Sequence, residues 1–242
     1  MNQPREMKFS LRSSKVIATF TILYFLIAAV EIIGEYYKAR DLVYATKPFI
    51  ILILIFLYWN TSNKLSFAYI TALIFSWIAN IFFISNIYES IFIGAILFFF
   101  YRVLTIYIVL KQIKLPSVFP TVVGCVPFLF IYMYFVNLTY VTIGEGLVVF
   151  VIQCILISFL GGLSVGNYIL SAGRANALLL LSTLFFAVTQ FIFVIRLYYT
   201  DSNIFQPLAM ALFAIAQYLF YKFLLLAEEK KAGYKITADS NP

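Results

Sequence analysis

The residues best placed to do chemistry are an acid and a base set inside apolar sequence, Glu31 and Lys47, in the stretch EIIGEYYKARDLVYATKP. Val16 to Gly34 reads as one membrane-spanning helix and Val43 to Trp59 as the next. Glu31 then falls about three residues before the end of the first and Lys47 about four residues into the second, both about 5–6 Å inside the same boundary at the helical rise. A charge in hydrocarbon costs about 2.5–3.5 kcal/mol on insertion scales, and an opposite charge at the same depth offsets much of that. The pair is expected to form one wall of a polar site.

Further polar residues recur at helical spacing within apolar runs. In the first run Thr21, Tyr24, Ala28 and Glu31 share a face that continues to Glu35; in the third, Ser76 and Asn80 are one turn apart. Arg102 and Thr105 share a face of the fourth, Gln153, Leu160, Ser164 and Asn167 of the sixth. Thr189 and Arg196, with Gln190 adjacent, mark the seventh, and Ala214, Gln217 and Tyr221 the eighth. Asn80, Gln153, Gln190 and Gln217 read either as site residues or as hydrogen-bond links between helices, which contribute about 0.6–2 kcal/mol each. Arg196, near a helix end, is open to the plainer reading of snorkelling to the headgroups. Arg102 stands near the middle of its run, too deep to do so, and calls for a buried partner, water or an anionic headgroup. Glu31, Lys47, Asn80, Gln190 and Arg196 are expected in the half of the membrane away from the cytoplasm, with Arg102, Gln153 and Gln217 nearer the middle. A polar pocket enclosed by the bundle is the expectation.

Whole classes of chemistry are excluded. The sequence has no His, which removes the Ser-His-Asp triad, histidine zinc sites and HExxH proteases. Cys125 and Cys154 lie inside predicted helices without CxxC or CxxH spacing, so neither a metal nor another cofactor is expected.

The elements that must position these residues are membrane helices. The chain has 242 residues, 64% of them hydrophobic and only 11% charged, with a mean hydropathy of +0.99, beyond what a soluble domain reaches. Eight apolar runs, about 16–34, 43–59, 65–84, 90–110, 118–135, 147–170, 176–199 and 204–226, are each long enough to cross the membrane as a helix. They lack the alternation of a barrel, and open strands cannot leave backbone groups unpaired in lipid. The expected fold is an all-α polytopic bundle of eight transmembrane helices. Residues 1–15 form an N-terminal cytoplasmic segment, 16–226 the transmembrane domain and 227–242 a cytoplasmic tail, whose Glu228, Glu229, Lys230 and Lys231, with Lys222, read as a solvated end. The basic start resembles a signal peptide, but no small-residue cleavage site follows, and an uncleaved first span is expected.

Among the 17 Lys and Arg, only Lys38 and Arg40 lie in loops on one side; Lys47, Arg102 and Arg196 are within runs and all others lie on the opposite side. By the positive-inside rule both termini are cytoplasmic, as an even number of spans requires. The net charge of +7 thus reports topology, and nucleic acid is not an expected partner because no basic cluster is interleaved with surface aromatics. A bacterial inner membrane fits this pattern. Gly162 and Gly166, a GxxxG pair, read as close helix packing.

Several of these features together resemble a family. Glu31 late in the first span, Lys47-Pro48 opening the second, SWIAN in the third, Gly94 and Phe98 in the fourth and Ala216-Gln217 in the last look like the YhhN family of lysoplasmalogenase-like, eight-span membrane proteins. The resemblance implies hydrolysis of the vinyl ether bond of lysoplasmalogens, releasing a fatty aldehyde and a glycerophospho-headgroup. At positions where the family carries an aspartate in the third span, Ser-Asp in the seventh and a histidine in the fourth, this chain has Asn80, Thr189-Gln190 and Arg102. An amide holds water or orients a headgroup but does not deliver the proton that vinyl ether cleavage needs. The expected catalytic set is Glu31, Lys47, Asn80 and Gln190, with Arg102, Arg196, Gln153 and Gln217 binding a lipid or lysolipid substrate. Two alternatives stand beside it: a catalytically silent relative that cradles a lipid headgroup, and a small transporter, for which no inverted repeat is visible.

Overall fold

The computed structural model describes residues 5–239 apart from 63, 86, 200 and 201, and side chains from Lys15 to Glu229. Among the described residues it is all helix: α1 (Arg5–Tyr36), α2 (Arg40–Thr61), α3 (Phe67–Phe82), α4 (Tyr88–Gln112), α5 (Val118–Ile143), α6 (Leu147–Leu170), α7 (Arg174–Tyr198) and α8 (Phe205–Asp239). Among the described residues six helical segments are long and apolar enough to cross a membrane. One of them, Val118–Leu170, holds both α5 and α6. The chain turns between these two through a single 3-10 turn at Gly144–Gly146, where Gly144 has a φ of 61° that a side chain would strain. The helix α3, at 16 residues, is the short one.

The polarity of the bundle is inverted relative to a soluble domain. Ile22, Leu26, Phe67, Phe130 and Ile169 are exposed, whereas Glu31, Lys47, Asn80, Arg102, Gln153 and Gln217 are buried. Apolar residues outside and polar residues inside suit a hydrocarbon solvent, which exerts no hydrophobic drive between helices, so packing and polar links hold the bundle. Successive helices pack on one another except α4 and α5, α8 returns to pack on α1, and α5 sits against α6 and α7. Several polar links tie helices distant in sequence. Tyr24 Oη donates to the Ala214 carbonyl at 2.7 Å, Tyr132 Oη to that of Ala187 at 2.7 Å, and Ser182 Oγ to that of Ala216 at 2.8 Å.

Several helix ends run further than the apolar runs, whereas α3 is shorter than its run of 65–84 at both ends. Arg40 and Asp41 already belong to α2, and α5 continues to Ile143. Glu31 is therefore five residues from its helix end and Lys47 seven, against about three and four from the ends of the apolar runs. The predicted cytoplasmic tail begins as a continuation of α8, and Glu228 is not a freely solvated residue. Its carboxylate accepts from Tyr58 Oη and Ser62 Oγ, both at 2.8 Å, because the end of α8 lies beside the end of α2. Arg5, Lys8, Arg12, Lys230 and Lys231 lie outside the residues with described side chains.

The α5–α6 seam accounts for the GxxxG pair. A Cβ on Gly162 would strike Cys125 Sγ and come within 2.5 Å of the Thr121 carbonyl, and one on Gly166 would press on Pro116. Replacement of Gly162 by Ala is expected to cost about 1–3 kcal/mol through overpacking. A thermal melt in detergent should show a lowered midpoint for Gly162→Ala and none for Gly173→Ser, at an N-cap with open space around it.

Candidate functional site

The short link between α1 and α2 determines where the acid and base meet. Tyr37 to Ala39 turn back on the end of α1, with the Ala39 amide on the Gly34 carbonyl at 2.9 Å and Lys38 at a φ of 54°. The two helices run antiparallel, and Lys47 from α2 faces the Glu31–Glu35 edge of α1. Its Nζ lies 3.5 Å from Glu31 Oε1 and 2.8 Å from Glu35 Oε1. The expected pair is thus a triad, in which Glu35 makes the shorter contact. Gln206 of α8 donates Nε2 to Glu35 Oε1 at 3.2 Å, bringing a third helix to the group. Glu31 Oε1 is buried and has no hydrogen bond.

Glu35 is the member of the triad that reaches open space. It lines a polar vestibule of about 240 Å³ with Lys38, Arg40, Arg196, Ser202, Asn203 and Gln206. Arg196 therefore sits on the wall of a cavity. Neither Glu31 nor Lys47 lines it; both stand behind Glu35.

A second cavity, of about 140 Å³, opens among α3, α4, α6, α7 and α8. Most of its wall is aromatic or aliphatic, including Phe92, Phe98, Phe186, Phe193 and Phe213, and its polar lining comes from Asn80, Arg102, Gln153, Thr189 and Gln190. The predicted polar residues are accordingly divided between two compartments rather than gathered in one. Gln217 lines neither cavity; it is fully buried and donates to Ser76 Oγ at 3.2 Å. Asn80 donates to the Ser76 carbonyl at 2.7 Å along its own helix, and Gln153 to the Ala95 carbonyl of α4 at 2.9 Å. Arg102 donates Nη2 to Gln190 Oε1 at 3.1 Å and lies over the Phe98 ring, 5.2 Å from its centroid.

The two compartments share Phe83, which lines both. Phe83 caps the end of α3 and packs near the Phe193 ring at 5.2 Å. It fits there because residue 94 is glycine: a Cβ at that position would come within 2.7 Å of the Phe83 ring. Sequence reasoning did not find Phe83, since one phenylalanine among 27 carries no signal. Glu35 did carry one, because it extends the Glu31 face by one turn.

An apolar cavity and a charged vestibule meeting at Phe83 within a helical membrane bundle define a membrane protein with adjoining apolar and charged spaces. The sequence pattern of the YhhN family matches residues 42–224, and the chain belongs to that family. Glu31 and Glu35 precede the matched residues, while Lys47 and both cavities' α3–α8 walls fall within them. No curated protein and no solved structure matches the chain.

Loss of the Lys47 ammonium would leave two carboxylates facing one another out of water. Removing one partner of a buried ion pair costs about 3–5 kcal/mol. Lys47→Met is expected to lower the melting midpoint in detergent sharply, and Lys47→Met with Glu35→Gln to recover part of the loss. Equal midpoints for the single and double variants would show that the two side chains are not coupled.

Proposed function

We propose that this YhhN-family protein is a lysoplasmalogenase-type hydrolase that cleaves the vinyl ether bond of a lysolipid. The observation that carries this reading is the junction at Phe83, where a vestibule holding Glu35 adjoins an apolar cavity. A lysolipid has the same division. Its glycerophospho-headgroup fits the vestibule, where Arg40, Lys38 and Arg196 offer charge-assisted donors to phosphate. Its chain passes Phe83 into the apolar cavity, which places the vinyl ether bond near Glu35.

The reaction needs a proton on the outer vinyl carbon, which leaves an oxocarbenium at the carbon bonded to oxygen. Water adds there and gives up a proton, and the hemiacetal collapses to a fatty aldehyde and a free glycerol hydroxyl. One ammonium cannot balance two carboxylates, so the neutral form of the Glu31–Lys47–Glu35 triad carries one proton, and Glu35 faces the substrate. A developing oxocarbenium beside an ionised carboxylate is stabilised electrostatically. Asn80, Thr189 and Gln190, across Phe83, hold the attacking water.

The test is release of fatty aldehyde from a lysoplasmenyl-phosphoethanolamine by purified protein in detergent. Turnover should fall by about 10²-fold or more in Glu31→Gln and in Glu35→Gln, each shown folded by its melt. Unchanged turnover in either removes that residue from the mechanism. One observation favours a second reading, a lipid-binding relative without turnover: no carboxylate is among the residues lining the apolar cavity. Folded wild-type protein that releases no aldehyde but retains a lysolipid would select it.

The same reading has eight spans with both termini in the cytoplasm, on the strength of the Lys and Arg distribution and the antiparallel hairpins. In a Cys125→Ala, Cys154→Ala background, a cysteine at position 37 should react with a membrane-impermeant maleimide on intact cells. One at position 171 should react only after lysis, and the reverse pattern would invert the topology.

A further inference from the structure

Arg102 is 2% exposed, and its Nε and Nη1 have no hydrogen-bond partner. Its one bonded nitrogen, Nη2, is held by the neutral amide of Gln190. Among the described residues no carboxylate forms an ion pair with it. A guanidinium does not lose its charge, and burying one unpaired is costly. The side chain is nevertheless held on a cavity wall, with Phe98 against it. Gln153 on the same lining gives its Nε2 to the Ala95 carbonyl, so its unpartnered Oε1 is an acceptor and the unfilled donors are the two guanidinium nitrogens. The site therefore has donors and positive charge at one end and hydrocarbon walls along the rest.

We infer that the apolar cavity binds a long-chain fatty carboxylate, its head on the Arg102 guanidinium and its chain along the phenylalanine wall toward Tyr88 and Tyr198. Three features select this class. A monoanion matches the single cation, and the two vacant nitrogens can each give a charge-assisted hydrogen bond to a carboxylate. The lining from Arg102 to Tyr88 follows α4 for about four turns, on the order of 20 Å, which suits a long chain rather than a small anion. The phenylalanine wall gives apolar contact along that length and offers nothing to a hydrated ion such as chloride. A phosphomonoester head would bring a second negative charge with no second cation among the residues lining this cavity. This site does not depend on the hydrolytic reading, since binding and its charge preference need no turnover. If both hold, a fatty acid occupies the chain compartment and competes with substrate.

The test measures equilibrium binding of oleate to the purified full-length chain in micelles, with oleyl alcohol and oleoyl lysophosphatidate as competitors of the same chain. Oleate should bind about tenfold or more tightly than the alcohol, the size expected of hydrogen bonds to a charged group, and should raise the melting midpoint. Arg102→Met should lose the preference for the acid over the alcohol, and Arg102→Lys should keep most of it. Equal binding of acid and alcohol by wild-type protein overturns the proposal without recourse to any variant. Stronger binding of lysophosphatidate than oleate overturns the carboxylate assignment, and an unchanged preference in folded Arg102→Met overturns the role of Arg102. The readout is separate from aldehyde release, so a protein without turnover still tests it.

Discussion

The structure depends on an ammonium held out of water between two carboxylates. Lys47 is 2% exposed and touches Glu31 and Glu35 at once, so its position is fixed by α1 while its backbone belongs to α2. A charge that cannot reach solvent must keep its partners, which makes the α1–α2 hairpin a rigid unit rather than two adjacent helices. Gln206 extends the constraint to α8, and Tyr24 bonds the same two helices deeper in the bundle. At the other end of α8 the Glu228 carboxylate takes donors from Tyr58 and Ser62, and Tyr58 Oη accepts the Ser66 amide at 2.9 Å. Polar groups thus tie α1, α2 and α8 together at one end and α2 to α8 at the other, and the apolar cavity opens on the face of α8 turned toward α3, α4, α6 and α7.

That cavity exists because α3 is short. The helix ends at Phe82, and the chain turns through Phe83 and Ile84, which line the vestibule, instead of continuing to the level of its neighbours. Gly94 lets the Phe83 ring sit against α4, and the ring then stands between vestibule and cavity. One shortened helix and one missing side chain together produce two compartments of different polarity that touch. Elsewhere the same close approach serves packing: Gly124 and Gly162 bring α5 onto α6.

Much of this was legible in the sequence, and the limits were physical. The polar faces read from spacing are the buried faces: Tyr24, Ala28 and Glu31, Ser76 and Asn80, Arg102 and Thr105, and Ala214, Gln217 and Tyr221 all point inward. Spacing fixes a face because a helix has one period. It does not fix which neighbour that face meets, so Gln217 and Gln190, alike as amides within apolar runs, turn out to serve a helix link and a cavity wall. The ends of α2 were misjudged because hydropathy reports where lipid stops, whereas a helix continues through Arg40 and Asp41 as long as its backbone bonds are satisfied. The division of the polar residues into two compartments had no sequence signal at all, since it follows from the length of α3 and the placing of one ring.

The charge of the apolar cavity carries the argument furthest. Where the family resemblance places aspartates, this chain has Asn80 and Gln190, and where it places a histidine it has Arg102. Taken one at a time these substitutions only remove acids. Taken together, through the contact of Arg102 with Gln190, they change the sign of the site. An aspartate at 190 would pair with the guanidinium and leave the cavity neutral; the amide orients the guanidinium without neutralising it. The carboxylates that remain near the junction stand on the other side of Phe83, tied to Lys47. On the proposed reading, a positive apolar cavity beside an acid-bearing vestibule separates the binding of an anionic chain from the delivery of a proton. The two tasks therefore respond to different substitutions, which allows chain binding to persist whether or not the acid side retains its chemistry.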